Sequence, residues 1–233
     1  MSVLVFVEAS EGKFKKSALE AATYGVKVGT LLGVETHALC IDEAAESELK
    51  SLGDYGISKV WYVNDSRLRN FDPLVYAKVI TQAEAQTNAD VLVLIQSYSG
   101  KAIAPVLAAK LRAGLVSGAI DLPVLEGNSF LVKKNVFSGK AFATYEMHSA
   151  KKIISLMSNS IAPEKKPIDA TVAAFKPELE DSDFRVTVKE VVKASGTISL
   201  SDAEIVVSGG RGLKGPENWG MVEEMAGILG AAT

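Results

Sequence analysis

The residues best suited to binding a charged ligand lie near the end of the 233-residue chain, in Ser208-Gly-Gly-Arg-Gly-Leu-Lys-Gly215. Gly210, Gly212 and Gly215 fit the pattern G-x-G-x-x-G, in which glycines let the backbone turn tightly and approach a pyrophosphate. Arg211 adds a fixed cation with forked donors. A glycine-rich turn with a solvated arginine would look similar. The flanking residues favour a nucleotide-binding loop over that simpler interpretation.

The residues around this loop predict a strand before it and a helix after it. Ile205–Val207 is apolar and β-branched, which is typical of a short buried parallel strand. Pro216 suits the first turn of a helix, and Trp219 and Val222 follow at helical spacing. A second strand and an acidic ribose-binding residue would fall at or beyond Thr233. We therefore expect only the truncated start of a second α/β nucleotide-binding domain.

Catalytic and metal-binding patterns are sparse in the rest of the chain. His37 and His148 are far apart in sequence, and neither has metal-ligand spacing to the single cysteine, Cys40, which we expect in the core. There is no G-x-S-x-G nucleophile elbow. We therefore predict no catalytic residues and no metal site.

Three other functions remain open at this point. Ser208-Gly209-Gly210 begins the S-G-G-x-D-S motif of ATP pyrophosphatases, although Arg211-Gly212 stands where x-Asp is expected. The glycine pattern would also suit an NAD-dependent dehydrogenase, although the missing second strand counts against that function. The third alternative is a cofactor-free docking module that binds a partner protein.

The first half of the chain repeats a strand-plus-helix unit four times. We predict strands at 3–7, 36–41, 59–63 and 90–95, and helices that begin after the caps Ser17, Asp42 and Asp72 and after Gly100. Such a succession predicts a Rossmann-like layered parallel sheet, in which ligands lie beyond the carboxyl ends of the strands. Those ends carry Glu8, Asp42, Asn64-Asp65 and Gln96–Gly100, without a phosphate-cradling pattern.

After Gly114 the pattern changes to strands without helices between them. Residues 129–136, 140–145 and 152–157 predict an antiparallel extension, with a hairpin turn at Ser138-Gly139. We predict a connector over Pro163–Pro177 and a strand over Phe184–Val192. The expected domains are 1–193, a linker at 194–203, and 204–233 as the incomplete start of a nucleotide-binding domain.

Composition indicates an ordinary globular protein. Hydrophobic residues make up 48% and charged residues 23%, and the net charge is −3, so no general basic field favours nucleic acid. The N-terminus lacks a basic region, and its apolar run is too short for a signal peptide or a membrane span. We expect a cytoplasmic protein that does not insert into a membrane.

Three blocks of sequence resemble the alpha subunit of electron transfer flavoprotein. They are Ser97-Tyr-Ser-Gly-Lys-Ala-Ile-Ala-Pro-Val-Leu-Ala, Val136-Phe-Ser-Gly-Lys-Ala-Phe-Ala-Thr and Leu200-Ser-Asp-Ala-Glu-Ile-Val-Val-Ser-Gly-Gly-Arg-Gly-Leu-Lys. The third block is similar to the start of the family's FAD-binding domain, and all three occur in the family's order. Later segments of that domain, with most of the family's cofactor contacts, are not found in this sequence.

The resemblance implies a heterodimer with a beta subunit that carries electrons on FAD, with no enzymatic activity of its own. In the family, electrons pass from acyl-CoA dehydrogenases and related enzymes of fatty acid beta-oxidation to a flavoprotein-quinone oxidoreductase. The resemblance also implies that Arg211, with Gly210 and Gly212 beside it, is a cofactor-binding residue. Because so little of the FAD-binding domain is found here, we expect this chain alone to bind FAD weakly.

Overall fold

The computed structural model describes residues 1–41, 43–192, 200 and 203–233. Contacts divide the chain into two compact units, Met1–Thr187 and Val188–Thr233. The first unit contains α1 (Lys16–Leu32), α2 (Glu46–Ser51), α3 (Pro73–Thr87), α4 (Tyr98–Leu111) and twelve strands: β1 (Ser2–Val7), β2 (Ala9–Ser10), β3 (Lys13–Phe14), β4 (Thr36–Cys40), β5 (Lys59–Tyr62), β6 (Ala89–Ile95), β7 (Gly114–Ala119), β8 (Val124–Glu126), β9 (Ser129–Val136), β10 (Ala141–Glu146), β11 (Lys152–Leu156) and β12 (Thr171–Ala174). In the second unit, two 3₁₀ turns at 211–213 and 216–218 precede α5 (Gly220–Leu229).

One mixed, mostly parallel sheet organises the first unit. Its strand order is β10-β9-β7-β11-β6-β1-β4-β5-β12, and β8 pairs with β9 beside this path. The strands from β7 to β12 in this order run parallel, whereas β9 runs antiparallel to β7, β8 and β10. The predicted α/β class, with a layered parallel sheet and an antiparallel extension, is therefore confirmed.

The apolar run of β1 is buried along its whole length because helices cover both faces of the sheet. Side chains alternate between the faces. Val3, Val5 and Val7 belong to the cluster on the α1 side, whereas Leu4 and Phe6 belong to the cluster formed with α3 and α4. Cys40 is buried in the first of these clusters, in agreement with its predicted place in the core.

Several predicted helix ends are confirmed, and three need correction. The helix predicted to begin after Gly100 begins at Tyr98, and its N-cap is Ser97, whose Oγ accepts a hydrogen bond from the Gly100 N–H. Gly33 ends α1 in the left-handed conformation, and Asp72 caps α3 through the N–H groups of Leu74 and Val75. Ser17 is not the N-cap of α1, since the helix already begins at Lys16 after an extended Lys15. The N-cap of α2 is Ala45, not Asp42, because the helix begins only at Glu46; Asp42 itself lies outside the described residues.

The topology also corrects the predicted order of the later strands. β11 does not belong to the antiparallel extension: it lies parallel between β6 and β7 at the centre of the sheet. β7 itself was missed, because Gly114-Leu-Val-Ser-Gly-Ala119 has two glycines in a short strand. The segment Pro163–Pro177 is more than a connector, because its β12 pairs with β5 at the sheet edge.

The predicted strand over Phe184–Val192 is wrong. Its alternating valines, Val186 and Val188, are exposed, and no strand forms there. Alternation makes a strand only where a neighbouring edge pairs with it. Most of the predicted linker 194–203 lies outside the described residues, so the domain boundaries stay a prediction. Among the described helices, none is both long and apolar enough to cross a membrane.

Candidate functional site

The glycine-rich loop of the second unit connects a short parallel bridge to α5. Val206 bridges Ala232, with Val207 N–H donating to the Ala232 carbonyl at 2.9 Å and Ala232 N–H to the Ile205 carbonyl at 3.0 Å. The predicted buried strand at Ile205–Val207 is therefore reduced to a single bridge. Ile205 and Val206 are each 48% exposed, because no second described strand covers them. The predicted helical entry at Pro216 is present as the 3₁₀ turn before α5.

The second half of the loop is held by its own hydrogen bonds. The N–H groups of Leu213, Lys214 and Gly215 donate to carbonyls of residues 210, 211 and 213 at 2.8–3.0 Å. Asn218 Nδ2 donates to the Leu213 carbonyl at 2.8 Å and ties the loop to the following turn. These bonds give residues 210–218 a defined shape without a ligand.

The first half of the loop leaves its donors available. Within the described residues, no hydrogen bond is donated by the backbone N–H groups of residues 208–212. Backbone N–H groups that lie at the surface without partners can donate to anionic oxygens. Five consecutive amides of this kind make this stretch the most suitable part of the second unit for binding an anion.

The glycines of the loop differ in the space that a side chain would find at each position. A Cβ atom at Gly209 would lie 2.2 Å from Leu213 Cδ1 and 3.1 Å from Trp219 Cζ3, so packing within the loop favours glycine there. A Cβ at Gly210 or Gly212 would meet nothing within 4 Å, and neither residue has a positive φ. Neither packing within the protein nor the backbone conformation therefore requires glycine at 210 and 212. A remaining physical reason for glycine there is the close approach of an atom from outside the loop.

Two cations lie beside these amides. A cavity of about 250 Å³ is lined by both cations and by the loop backbone: Gly210, Arg211, Leu213, Lys214, Gly215, Pro216 and Trp219. Arg211 is exposed, and neither Arg211 nor Lys214 forms an ion pair with another described residue. The cavity is smaller than a usual pocket for a whole small molecule, so it suits one charged part of a larger ligand.

The carboxyl ends of β1 and β6 in the first unit are occupied by the chain's own side chains. β1 pairs with β4 on one side and with β6 on the other. In such sheets a ligand usually binds beyond the carboxyl ends of the strands, here between the segments that follow β1 and β6. There Ser97 Oγ donates to Glu8 Oε2 at 2.7 Å, Ser99 Oγ donates to Glu8 Oε1, and Gly100 N–H donates to Ser97 Oγ. Glu8 therefore takes the place that an anionic ligand would need. The sequence placed Glu8 at this edge of the sheet but did not indicate that role.

The remaining candidates from the sequence do not form a chemical site. His37 pairs with Glu35 at 3.2 Å and the exposed His148 with Glu146 at 3.6 Å. In the part of the chain that the structure describes, no three His, Cys, Asp or Glu residues are grouped so as to hold a metal ion.

A larger cavity, which sequence patterns did not indicate, lies beside α1 in the first unit. Its volume is about 490 Å³, and its wall is mainly apolar, with Val26, Leu31 and Leu122 among the lining residues. Lys27 at its rim is paired with Glu164 at 2.6 Å, and this ammonium lowers the pKa of the Glu164 carboxyl. The cavity therefore offers a mainly apolar surface with one ion pair, Lys27–Glu164, and a further cation, Lys166, among its lining residues.

Comparison with known proteins matches both units. The model of the electron transfer flavoprotein domain matches residues 3–184, and that of the electron transfer flavoprotein FAD-binding domain matches residues 199–233, which include the glycine-rich loop. Electron transfer flavoprotein subunit alpha of Bacillus subtilis (strain 168) is 31% identical over 99% of this chain and 70% of its own length. The subunit alpha of Clostridium acetobutylicum is 30% identical over 98% of the chain and 70% of its own length.

A eukaryotic relative shares the same extent of sequence. The probable mitochondrial electron transfer flavoprotein subunit alpha of Caenorhabditis elegans is 27% identical over 99% of this chain and 67% of its own length. With its first unit matched almost throughout and its loop within the FAD-binding match, the chain belongs to the alpha subunits of the electron transfer flavoprotein family.

Proposed function

We propose that the loop Ser208–Gly215 binds FAD and that the chain acts as an electron carrier within an electron transfer flavoprotein. The observation that carries this proposal is what one loop combines among the described residues. It has five backbone N–H groups without a hydrogen-bond partner, two cations without an ion-pair partner, and two glycines at positions where a Cβ atom would meet nothing. The match of residues 199–233 to an FAD-binding domain supports it.

The residues of the loop fit the charged part of FAD. The N–H groups of residues 208–212 would donate to pyrophosphate oxygens, as in other anion-binding loops. Arg211 would add charge-assisted hydrogen bonds, and Lys214 a second positive charge. Gly210 and Gly212 would let those oxygens approach the backbone without meeting a Cβ atom. When bound, the flavin supplies the reversible uptake of electrons, a chemistry that amino-acid side chains lack.

The wider role follows from the family. We infer that the chain pairs with a beta subunit, since the relatives are themselves named as alpha subunits. The heterodimer would accept electrons from acyl-CoA dehydrogenases and related enzymes and deliver them to a flavoprotein-quinone oxidoreductase. It would do so as a carrier rather than as an enzyme, in the cytoplasm, where a single buried cysteine needs no disulfide partner.

The test is flavin binding by loop variants. The chain, at its full natural length, is coexpressed with an electron transfer flavoprotein beta subunit, and bound FAD is measured by absorbance and titration. Arg211→Ala removes a charge-assisted hydrogen bond of about 1.5–3 kcal/mol, so we expect the Kd for FAD to rise roughly ten- to a hundredfold. Gly212→Ala should also weaken binding, through steric contact with the cofactor.

Lys189→Ala removes an exposed cation of the same unit outside the loop and serves as the matched control. It should bind FAD as the unmodified chain does. Equal FAD binding by the Arg211, Gly212 and Lys189 variants would remove the loop from the cofactor site. A colourless heterodimer from the unmodified chain would instead support the cofactor-free docking module.

A further inference from the structure

Four segments that are distant in sequence enclose the cavity beside α1. They are α1 itself, the turn that ends at Tyr55, the loop with Leu122 and Pro123, and the segment with Glu164 and Lys166. All four belong to the first unit. The volume of about 490 Å³ lies within the usual range of pockets for small molecules, roughly 300–1,000 Å³. The cavity is therefore large enough to hold one small ligand.

Hydrogen bonds between these segments hold the walls of the cavity in place. The hydroxyl of Tyr24, on α1, donates to a backbone carbonyl of the loop that follows β7, at 3.1 Å. The Glu164 N–H donates to Thr23 Oγ1, also on α1, at 3.1 Å. The Lys166 N–H donates to the Asp54 carbonyl at 2.8 Å and joins its segment to the turn. The fold itself therefore forms the cavity, as is usual for small-molecule sites.

Aliphatic side chains make up much of the wall. They come from α1 and from the loop after β7, and include Val26, Leu31, Leu122 and Pro123. Val26 and Pro123 are buried, whereas Leu31 is 44% exposed. An aliphatic chain in contact with this wall would gain free energy from each CH₂ group removed from water. The wall therefore favours a ligand with an aliphatic body.

The charged residues of the wall indicate the charge of the ligand. Lys27, Glu164 and Lys166 line the cavity, so two positive charges stand against one negative charge. Lys27 is paired with Glu164 at 2.6 Å, whereas Lys166 forms no ion pair with another described residue. Asp121 is not among the lining residues, and its carboxylate accepts the N–H of Leu122 at 2.9 Å. The excess positive charge favours an anionic head group.

We propose that this cavity binds a medium-chain aliphatic carboxylate, with its chain against the apolar wall and its carboxylate paired with Lys166. Tyr55 also lines the cavity, and its hydroxyl, which has no hydrogen-bond partner among the described residues, is a second donor for the carboxylate. The site uses no residue of the glycine-rich loop. It therefore goes beyond the proposed binding of FAD, and either proposal can fail without the other.

A series of ligands that differ in chain length is the first test. Binding of hexanoate, octanoate and decanoate to the full chain is measured by titration calorimetry, below the concentrations at which they form micelles. We expect the Kd to fall roughly two- to fourfold for each CH₂ group added, because each is removed from water. Octylamine, with the same chain length as octanoate and a positive charge, should bind at least tenfold more weakly than octanoate. Equal binding of the amine and the acid would contradict the assigned charge, and a Kd independent of chain length would contradict the assigned apolar wall.

Binding by variants is the second test. Lys166→Met removes the charge and keeps an unbranched side chain, so the Kd for octanoate should rise about tenfold while that for octanol stays unchanged. Thr30→Trp introduces a large ring at an exposed lining position of α1 and should abolish binding of both ligands. Lys165→Met is the matched control, because it removes the neighbouring exposed cation, which is not among the lining residues, and should change the Kd less than twofold. Thermal unfolding of each variant checks that its fold is unchanged.

The remaining outcomes separate this proposal from its rivals. If the unmodified chain binds none of the three carboxylates at millimolar concentration, the proposal is wrong. Equal weakening of octanoate binding by Lys165→Met and Lys166→Met would mean that the ligand responds to the general surface charge and not to this cavity. Octanoate binding that Thr30→Trp leaves intact would assign the ligand to another place on the protein. None of these titrations requires FAD, so a negative result leaves the proposed electron carrier unaffected.

Discussion

Glu20 shows how burial acts on a single residue. Its side chain lies on the inner face of α1 with 1% exposed, and the Asn159 N–H donates to its carboxylate at 3.0 Å. Burial raises the pKa of Glu20, and the Asn159 N–H and the charge of Lys16 oppose that rise only partly. The folded protein therefore binds this proton more tightly than the unfolded chain does.

The sign of that shift predicts how stability depends on pH at this position. Protonation of Glu20 makes its full contribution to the stability of the fold below the unfolded pKa of about 4.3. That contribution is lost as pH rises through the raised pKa of the folded state. Glu20→Gln removes the buried charge while keeping an acceptor for Asn159. We expect its Tm to exceed that of the unmodified chain by roughly 2 °C or more at pH 7 and to match it near pH 4.

The control for this prediction is Glu46, whose pKa is shifted in the opposite direction. The ammonium of Lys50, 2.7 Å away, lowers the pKa of the exposed Glu46, so Glu46→Gln should give no increase of Tm at pH 7. An increase for Glu20→Gln that is the same at pH 4 and pH 7 would mean that ionisation of Glu20 is not its cause.

At the scale of single elements, α2 and α3 start in different ways. Asp72 Oδ1 accepts hydrogen bonds from the N–H groups of Leu74 and Val75 at 2.8 and 3.3 Å, and Pro73 follows at the first helical position. The N-cap of α2, Ala45, has no side-chain acceptor. The first N–H groups of α3 are therefore satisfied within the protein, whereas no side-chain cap is found for α2 among the described residues.

This difference predicts opposite effects of two cap substitutions. Asp72→Ala should lower the free energy of unfolding by about 1 kcal/mol, because two N–H groups lose their acceptor. Ala45→Asp should raise it by up to about 1 kcal/mol, by providing an acceptor and a negative charge at the helix start. Urea unfolding of both variants measures the effect, and an unchanged midpoint for Asp72→Ala would show that this cap does not stabilise the fold.

At the scale of the whole molecule, a strand near the centre of the sheet comes late in the chain. β11 lies between β6 and β7 in the sheet, although β8, β9 and β10 separate it from β7 along the chain. Ile153, Ile154 and Leu156 are each fully buried there. The first unit therefore depends on residues far from its four N-terminal strand-plus-helix units for the centre of its core.

We expect Ile154→Ala to lower the free energy of unfolding by about 2–5 kcal/mol, through lost burial and the cavity left in the core. Val186→Ala removes an apolar side chain from the segment wrongly predicted as a strand, where it is exposed, and should change stability by less than about 0.5 kcal/mol. Guanidinium unfolding of the first unit compares the two variants. A similar loss of unfolding free energy in both variants would contradict the central place of β11 in the core.

The positions of the glycine-rich loop and of the hairpin turn could be predicted from sequence because each depends on neighbouring residues. Ser208–Gly215 has its glycines and Arg211 in one short stretch, and Ser138-Gly139 marks a turn through residues that tolerate positive φ. The role of Glu8 was not recognised, because its partners Ser97 and Ser99 are about 90 residues away in sequence.

The sequence by itself determined the α/β class, the buried strand β1, the ends of α1 and α3 marked by Gly33 and Asp72, and the family, since each depends on neighbours along the chain. Only the tertiary structure decided that β11 lies at the centre of the sheet, that 171–174 forms an edge strand and that 184–192 forms none. The physical reason is that strands are stabilised by partners distant in sequence, and a strand-like pattern does not specify which edge will pair with it.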